Sequence, residues 1–127
     1  MPRIGTQLVY PELSYRLCGL CFDVHNSLGR YRNEKQYGDA LEQLMTVAGI
    51  SFEREKELPA SFEGEHNRRN IVDFIVDNSI ILDLKAKSFI TKEDYFQMQR
   101  YLASSSKKLG IIINFRQKVL TPKRVVN

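Results

Sequence analysis

Ile71-Val72-Asp73-Phe74-Ile75-Val76-Asp77-Asn78-Ser79-Ile80-Ile81-Leu82-Asp83-Leu84-Lys85 reads as two apolar strands around a tight turn. Two carboxylates and a lysine are set into the apolar runs, where charge is costly to bury. With the turn centred on Asn78, Val76 faces Ile80 and Asp73 falls opposite Asp83. Side chains alternate along a strand, so Lys85 shares the face of Asp83. Like charges directly opposite destabilise a strand pair, and a divalent cation between them reverses that sign. The pattern suits a magnesium-type hydrolytic site, with carboxylates as ligands and a lysine to position water. A two-residue turn, Asp77-Asn78, would instead pair Val76 with Ser79 and send Asp73 to the other face. A plain hairpin with a solvated Asp83–Lys85 pair accounts for the same residues without any function.

Working outward, helical spacing covers both sides of this hairpin. Leu13, Leu17, Leu20, Cys21, Val24 and Leu28 recur at helical intervals from Glu12 to Leu28, and Gly29 stops the run. A second helix fits Asn33 to Val47, with Asn33 as N-cap and Gly49 beyond its end. Ile50 to Leu58 suits a strand, and Pro59 to Asn70 a polar loop. Thr91 to Ser106 is a third helix, opened by a capping-box-like Thr91 and Asp94. Leu109 to Phe115 is a continuous apolar run, which suits a strand buried on both faces. The basic tail from Arg116 offers a short edge strand. Two helices, three antiparallel strands, a crossover helix and a buried strand imply an α/β mixed sheet flanked by helices.

The 127 residues are read as one domain spanning residues 1–127, with 43% hydrophobic and 27% charged residues. A formal charge of +4 is compatible with a polyanionic partner without requiring one. No apolar run reaches membrane-spanning length, and the first residues lack a signal-peptide core. The expectation is a soluble cytoplasmic protein with no membrane partner. Cys18 and Cys21 lie three apart on one helical face without a second cysteine pair, so they read as core residues.

Other polar residues have ordinary explanations on spacing alone. Glu34 in the first turn of the second helix favours the helix dipole. Gln97 and Tyr101, four apart, share a helix face that could lie over the hairpin. His25 reads as a capping or core histidine. Lys87 is in phase with Lys85. Arg68, Arg69, Lys107, Lys108, Lys118, Lys123 and Arg124 are candidate phosphate contacts.

The ordered set Val24-His25-x-x-Leu28-Gly29, Glu34-x-x-Tyr37-x-x-Ala40-Leu41, Asp73-Phe74-Ile75-Val76, Asp83-Leu84-Lys85-Ala86, Gln97-x-x-x-Tyr101-Leu102, Leu109-Gly110, Ile113-Asn114-Phe115 and Lys123-Arg124-Val125-Val126 resembles the GxxExxY protein family. That family belongs to the PD-(D/E)XK nuclease-like superfamily. The resemblance implies a restriction-endonuclease-like αβββαβ core. It also implies a Mg²⁺- or Mn²⁺-dependent nuclease acting on nucleic acid, with DNA expected before RNA. By motif, Glu34, Asp73 and Asp83 would be metal ligands, the Leu84 carbonyl a further one, and Lys85 the catalytic lysine. Gln97 and Tyr101 match a Q-x-x-x-Y element of some nuclease branches and join the site. Two departures stand out. Gly29-Arg30-Tyr31-Arg32-Asn33 replaces a glycine-and-apolar segment, and Asp83 replaces a commoner glutamate. The same fold could also serve as an inactive nucleic-acid-binding module, or as a scaffold or dimerisation domain.

Overall fold

The computed structural model describes residues 9–127. Helix α1 (Pro11–Leu28) and helix α2 (Glu34–Ala48) lead into strands β1 (Phe52–Glu57), β2 (Ile71–Val76) and β3 (Ile80–Lys85). Helix α3 (Lys92–Ser105) then crosses to β4 (Leu109–Asn114), and β5 (Lys123–Val126) closes the chain. The five strands lie in sequence order, with β3 and β4 parallel and every other pair antiparallel. This is an α/β mixed sheet consistent with the restriction-endonuclease-like fold.

Local chemistry sets the helix ends. Asn33 Oδ1 accepts the N–H of Gln36 at 2.8 Å while Gln36 Oε1 accepts the N–H of Asn33 at 2.9 Å, a complete capping box. Gly49 takes a left-handed φ of 73°, which lets the Ile50 N–H reach the Met45 carbonyl. At the start of α3, Asp94 Oδ2 accepts the Thr91 N–H at 2.7 Å.

The β2–β3 turn follows the Asn78-centred register, with Val76 paired to Ile80. Asp77 and Asn78 both take left-handed backbone angles, which these two residue types tolerate best after glycine. The Ser79 N–H bonds the Val76 carbonyl, and Lys107 Nζ donates to the Asn78 carbonyl.

Helices cover both sheet faces. Leu17, Cys21 and Val24 of α1 and Tyr37, Leu41 and Met45 of α2 pack on Phe74, Val76, Leu82 and Ile111. Met98, Tyr101 and Leu102 of α3 pack on Ile75, Ile81 and Ile112. Strand β4 is therefore buried along its whole length, as its unbroken apolar run requires. Edge strand β1 is the opposite: it carries Glu53, Arg54, Glu55, Lys56 and Glu57 and is largely exposed, with Glu55 at a left-handed φ of 51°.

Cys21 is buried, but Cys18 is only half-buried, because α1 rotates it towards the rim of the core. Both thiols are free. Burial pushes both up, partly offset at Cys18 by Arg124, so little thiolate forms.

Gly110 marks the closest approach of α3 to the sheet. A Cβ there would meet Met98, with Cγ only 2.6 Å away, and Met98 is fully buried. Gly110→Ala should destabilise the fold by about 1–3 kcal/mol, the usual cost of overpacking. Denaturant melts should show part of that loss recovered when Met98→Ala is added.

Candidate active site

The regular pairing of β2 with β3 runs from Val76–Ile80 through Phe74–Leu82 and goes no further towards Asp73. At that point the chain departs from strict alternation. Val72 joins Ile75 in the cluster under α3, while Phe74 and Val76 face α1 and α2. Asp73 uses its side chain where a backbone bond would otherwise stand: Oδ2 accepts the Leu84 N–H at 2.7 Å. The Asp73 and Asp83 carboxyls lie within hydrogen-bonding range of each other. The two acids thus meet as the turn register foretells, but through a break in the ladder rather than a continuous one.

Lys85 stands beside them. Its Nζ is 3.0 Å from Asp83 Oδ2 and donates to Gln97 Oε1 at 3.0 Å. Asp83 is buried, and its Oδ2 receives no well-directed hydrogen bond despite the nearby ammonium. Asp94 Oδ1 lies 3.8 Å from Lys85 Nζ, and Asp94 Oδ2 holds Lys87 Nζ at 2.6 Å. Tyr101 is buried on the same helix face as Gln97 and feels the charges of Asp83, Lys85 and Asp73. Glu34 is exposed at the first turn of α2 and shares a cleft of about 140 Å³ with Asp73 and Leu84.

The electrostatics follow from this crowding. Burial pushes the Asp73 carboxyl up to about 7, reinforced by the hydrogen bond and negative charge of Asp83 and opposed by the Leu84 N–H. Burial works against the charge of Lys85, but Asp83, then Asp94 and Glu34, outweigh it and hold the ammonium above its usual range. Burial likewise opposes ionisation of Asp94, yet Lys87 and the Thr91 N–H prevail and keep it low. Burial, with Asp83 next, raises the Tyr101 phenol.

Among the described residues, no three His, Cys, Asp or Glu side chains form a ready metal cluster. The Asp73–Asp83 pair nevertheless fits a hard divalent cation. Both are oxygen donors, one carboxylate oxygen is buried without a well-directed donor, and their mutual repulsion calls for positive charge. Magnesium commonly takes one or two protein carboxylates and fills the rest of its shell with water and substrate oxygens.

The sequence profile of the PD-(D/E)XK nuclease superfamily matches residues 11–125. The chain belongs to that superfamily. Comparison with curated proteins and with solved structures gives no match. Within the superfamily fold, Asp73, Asp83, Lys85, Gln97 and Tyr101 converge on one end of the sheet, and Glu34 stands at the rim. In the sequence, Asp94 reads as a helix cap alone. Its spacing of three from Gln97 and seven from Tyr101 places all three on one helical stripe, and that was the available signal. His25 serves structure, with Nε2 2.7 Å from the Gln117 carbonyl.

The raised Asp73 carboxyl has a signed consequence for stability. The native state holds a proton there that the unfolded chain releases above about pH 4. Metal-free protein therefore loses stability as pH rises from about 4 to about 7. Asp73→Asn removes that loss, so the variant should gain on the wild type across this window when both are melted in chelator. Each tenfold change in proton affinity is about 1.4 kcal/mol, so the gain should reach a few kcal/mol at most.

Proposed function

We propose that this chain hydrolyses nucleic-acid phosphodiesters with the help of Mg²⁺ or Mn²⁺. The observation that carries the reading is the setting of Lys85, ion-paired to Asp83 and anchored by Gln97 beside a second, desolvated aspartate. A divalent cation held by Asp73, Asp83 and the Leu84 carbonyl would supply Lewis-acid polarisation of a phosphoryl oxygen. Glu34 would act from the rim, through water, on the same centre.

Lys85 is the group that acts on the reacting atoms. Its raised proton affinity keeps it cationic at neutral pH, so it orients an attacking water and stabilises charge that develops on the phosphate. Gln97 and Asp83 hold the ammonium from two sides and leave one hydrogen to point at substrate. Asp94 keeps Lys87 back from the acids while adding negative potential behind Lys85. Tyr101 stays a neutral phenol in this field and closes the α3 side of the site.

Wild-type protein should cleave DNA or RNA oligonucleotides with Mg²⁺ or Mn²⁺ and stop in chelator. Lys85→Ala should lose on the order of a hundredfold or more in rate while Mn²⁺ still binds by calorimetry. Asp83→Asn should lose both. Binding of nucleic acid without cleavage under either metal would replace this reading with that of an inactive binding module. No binding even at low salt would favour a scaffold.

Manganese should also raise the melting temperature of the wild type well above pH 7, where Asp73 has given up its proton, and leave Asp83→Asn nearly unmoved. A stabilisation of equal size in both proteins would place the cation elsewhere.

A further inference from the structure

Between α1 and α2 the segment Gly29-Arg30-Tyr31-Arg32-Asn33 builds a braced loop. Arg30 and Arg116 lock together through reciprocal bonds: Arg30 Nε donates to the Arg116 carbonyl at 2.9 Å, and Arg116 Nε to the Arg30 carbonyl at 2.7 Å. Both guanidinium carbons approach the Tyr31 ring, at 5.4 and 5.8 Å from its centroid. Tyr31 is nonetheless 77% exposed. The loop beneath it is fixed on both sides. Tyr37 Oη donates to the Gly29 carbonyl at 2.6 Å and accepts the Arg32 N–H, and the Tyr37 ring stacks on Phe115 with centroids 4.1 Å apart.

An exposed aromatic ring on a braced loop is a preorganised surface. It borders an open groove of about 430 Å³ whose cations are Arg32, Lys35 and Arg116 and whose single carboxylate is Glu34. Glu34 and Lys35 also line the cleft that holds Asp73. The groove therefore runs into the acid site, and its charge favours a polyanion.

We infer that Tyr31 is a stacking platform for an unpaired nucleobase, with Arg32, Lys35 and Arg116 holding the adjoining phosphates, so that this nuclease prefers single-stranded or frayed nucleic acid. The inference rests on the nuclease reading for the direction of the strand, but not for the binding itself. A base inside a duplex has both faces covered by its neighbours, whereas an unpaired base offers a face to the ring. The cations neutralise backbone charge whatever the sequence, so the platform sorts strands by pairing state.

The test is binding without cleavage. Fluorescence anisotropy in chelator would compare a labelled single-stranded oligonucleotide of about 12 nucleotides, a length in the range of known single-strand sites, with its blunt duplex. Tyr31→Ala should weaken the single strand by roughly tenfold or more, as loss of a stacked base does, and leave the duplex nearly unchanged. Tyr31→Phe keeps the ring and should bind as the wild type does. A 2-aminopurine in the strand should be quenched by the wild type and by Tyr31→Phe, and not by Tyr31→Ala. Equal loss on both substrates, no loss on the single strand, or a wild type that binds no single strand would overturn the inference. A wild type that cleaves without any dependence on Tyr31 sinks the platform and spares the nuclease. One that binds through Tyr31 yet never cleaves does the reverse.

Discussion

Asp73 and Asp83 meet where the ladder between β2 and β3 gives out, and most of the polar architecture answers to that meeting. Two carboxyls drawn out of water and held side by side repel, and the chain supplies only partial relief. Asp73 takes the Leu84 N–H, and Asp83 takes Lys85 as an ion-pair partner. Lys85 is then stretched between Asp83 and Gln97, which ties α3 to the sheet end through a charge. Asp94 completes the pattern by capping α3 and neutralising Lys87 with the same carboxylate. The acids gathered at this end of the sheet outnumber the lysines, and that excess of negative charge holds Lys85 in its protonated form.

Much of this was legible in the sequence because its causes are local. Asn33, Gly49 and the Thr91–Asp94 pair announce helix ends through hydrogen bonds that span only a few residues. Asp77 and Asn78 announce a turn because few other residues accept left-handed angles, and the turn then fixes Val76 against Ile80. Lys85 beside Asp83 follows from strand alternation. The harder features depend on distant partners. Nothing near Asp73 in the chain signals that pairing ends at Phe74, because the cause lies in how two strands part in space. Likewise, Arg30 meets Arg116 across 86 residues, so the braced Tyr31 loop had no local signature. Cys18 and Cys21 share a helical face, yet only the packing decides that one is buried and the other half-buried.

The basic residues divide in a way that net charge conceals. Several that looked available for phosphate already hold the fold together. Arg124 donates to Ser14 Oγ and the Val9 carbonyl, Lys107 closes the β2–β3 turn, and the Arg68 N–H, rather than its guanidinium, ties its loop to Glu57. The cations that remain beside the acid site come mainly from the segment around Tyr31 and from Arg116. Exposed ion pairs elsewhere, such as Lys56 with Glu53, contribute little to stability.

The charged edge strand has a consequence of its own. An unpaired strand edge is a template on which another chain can extend the sheet. Strand β1 offers Glu53, Arg54, Glu55, Lys56 and Glu57 to any such newcomer, with the Glu55 backbone turned out of the extended form. A second copy laid alongside in antiparallel fashion would have to bury a row of charges and mend a distorted ladder. The interior of this sheet is among the most apolar parts of the chain, with β4 buried end to end. A charged, distorted rim of this kind opposes edge-to-edge pairing at the β1 side of an otherwise apolar sheet.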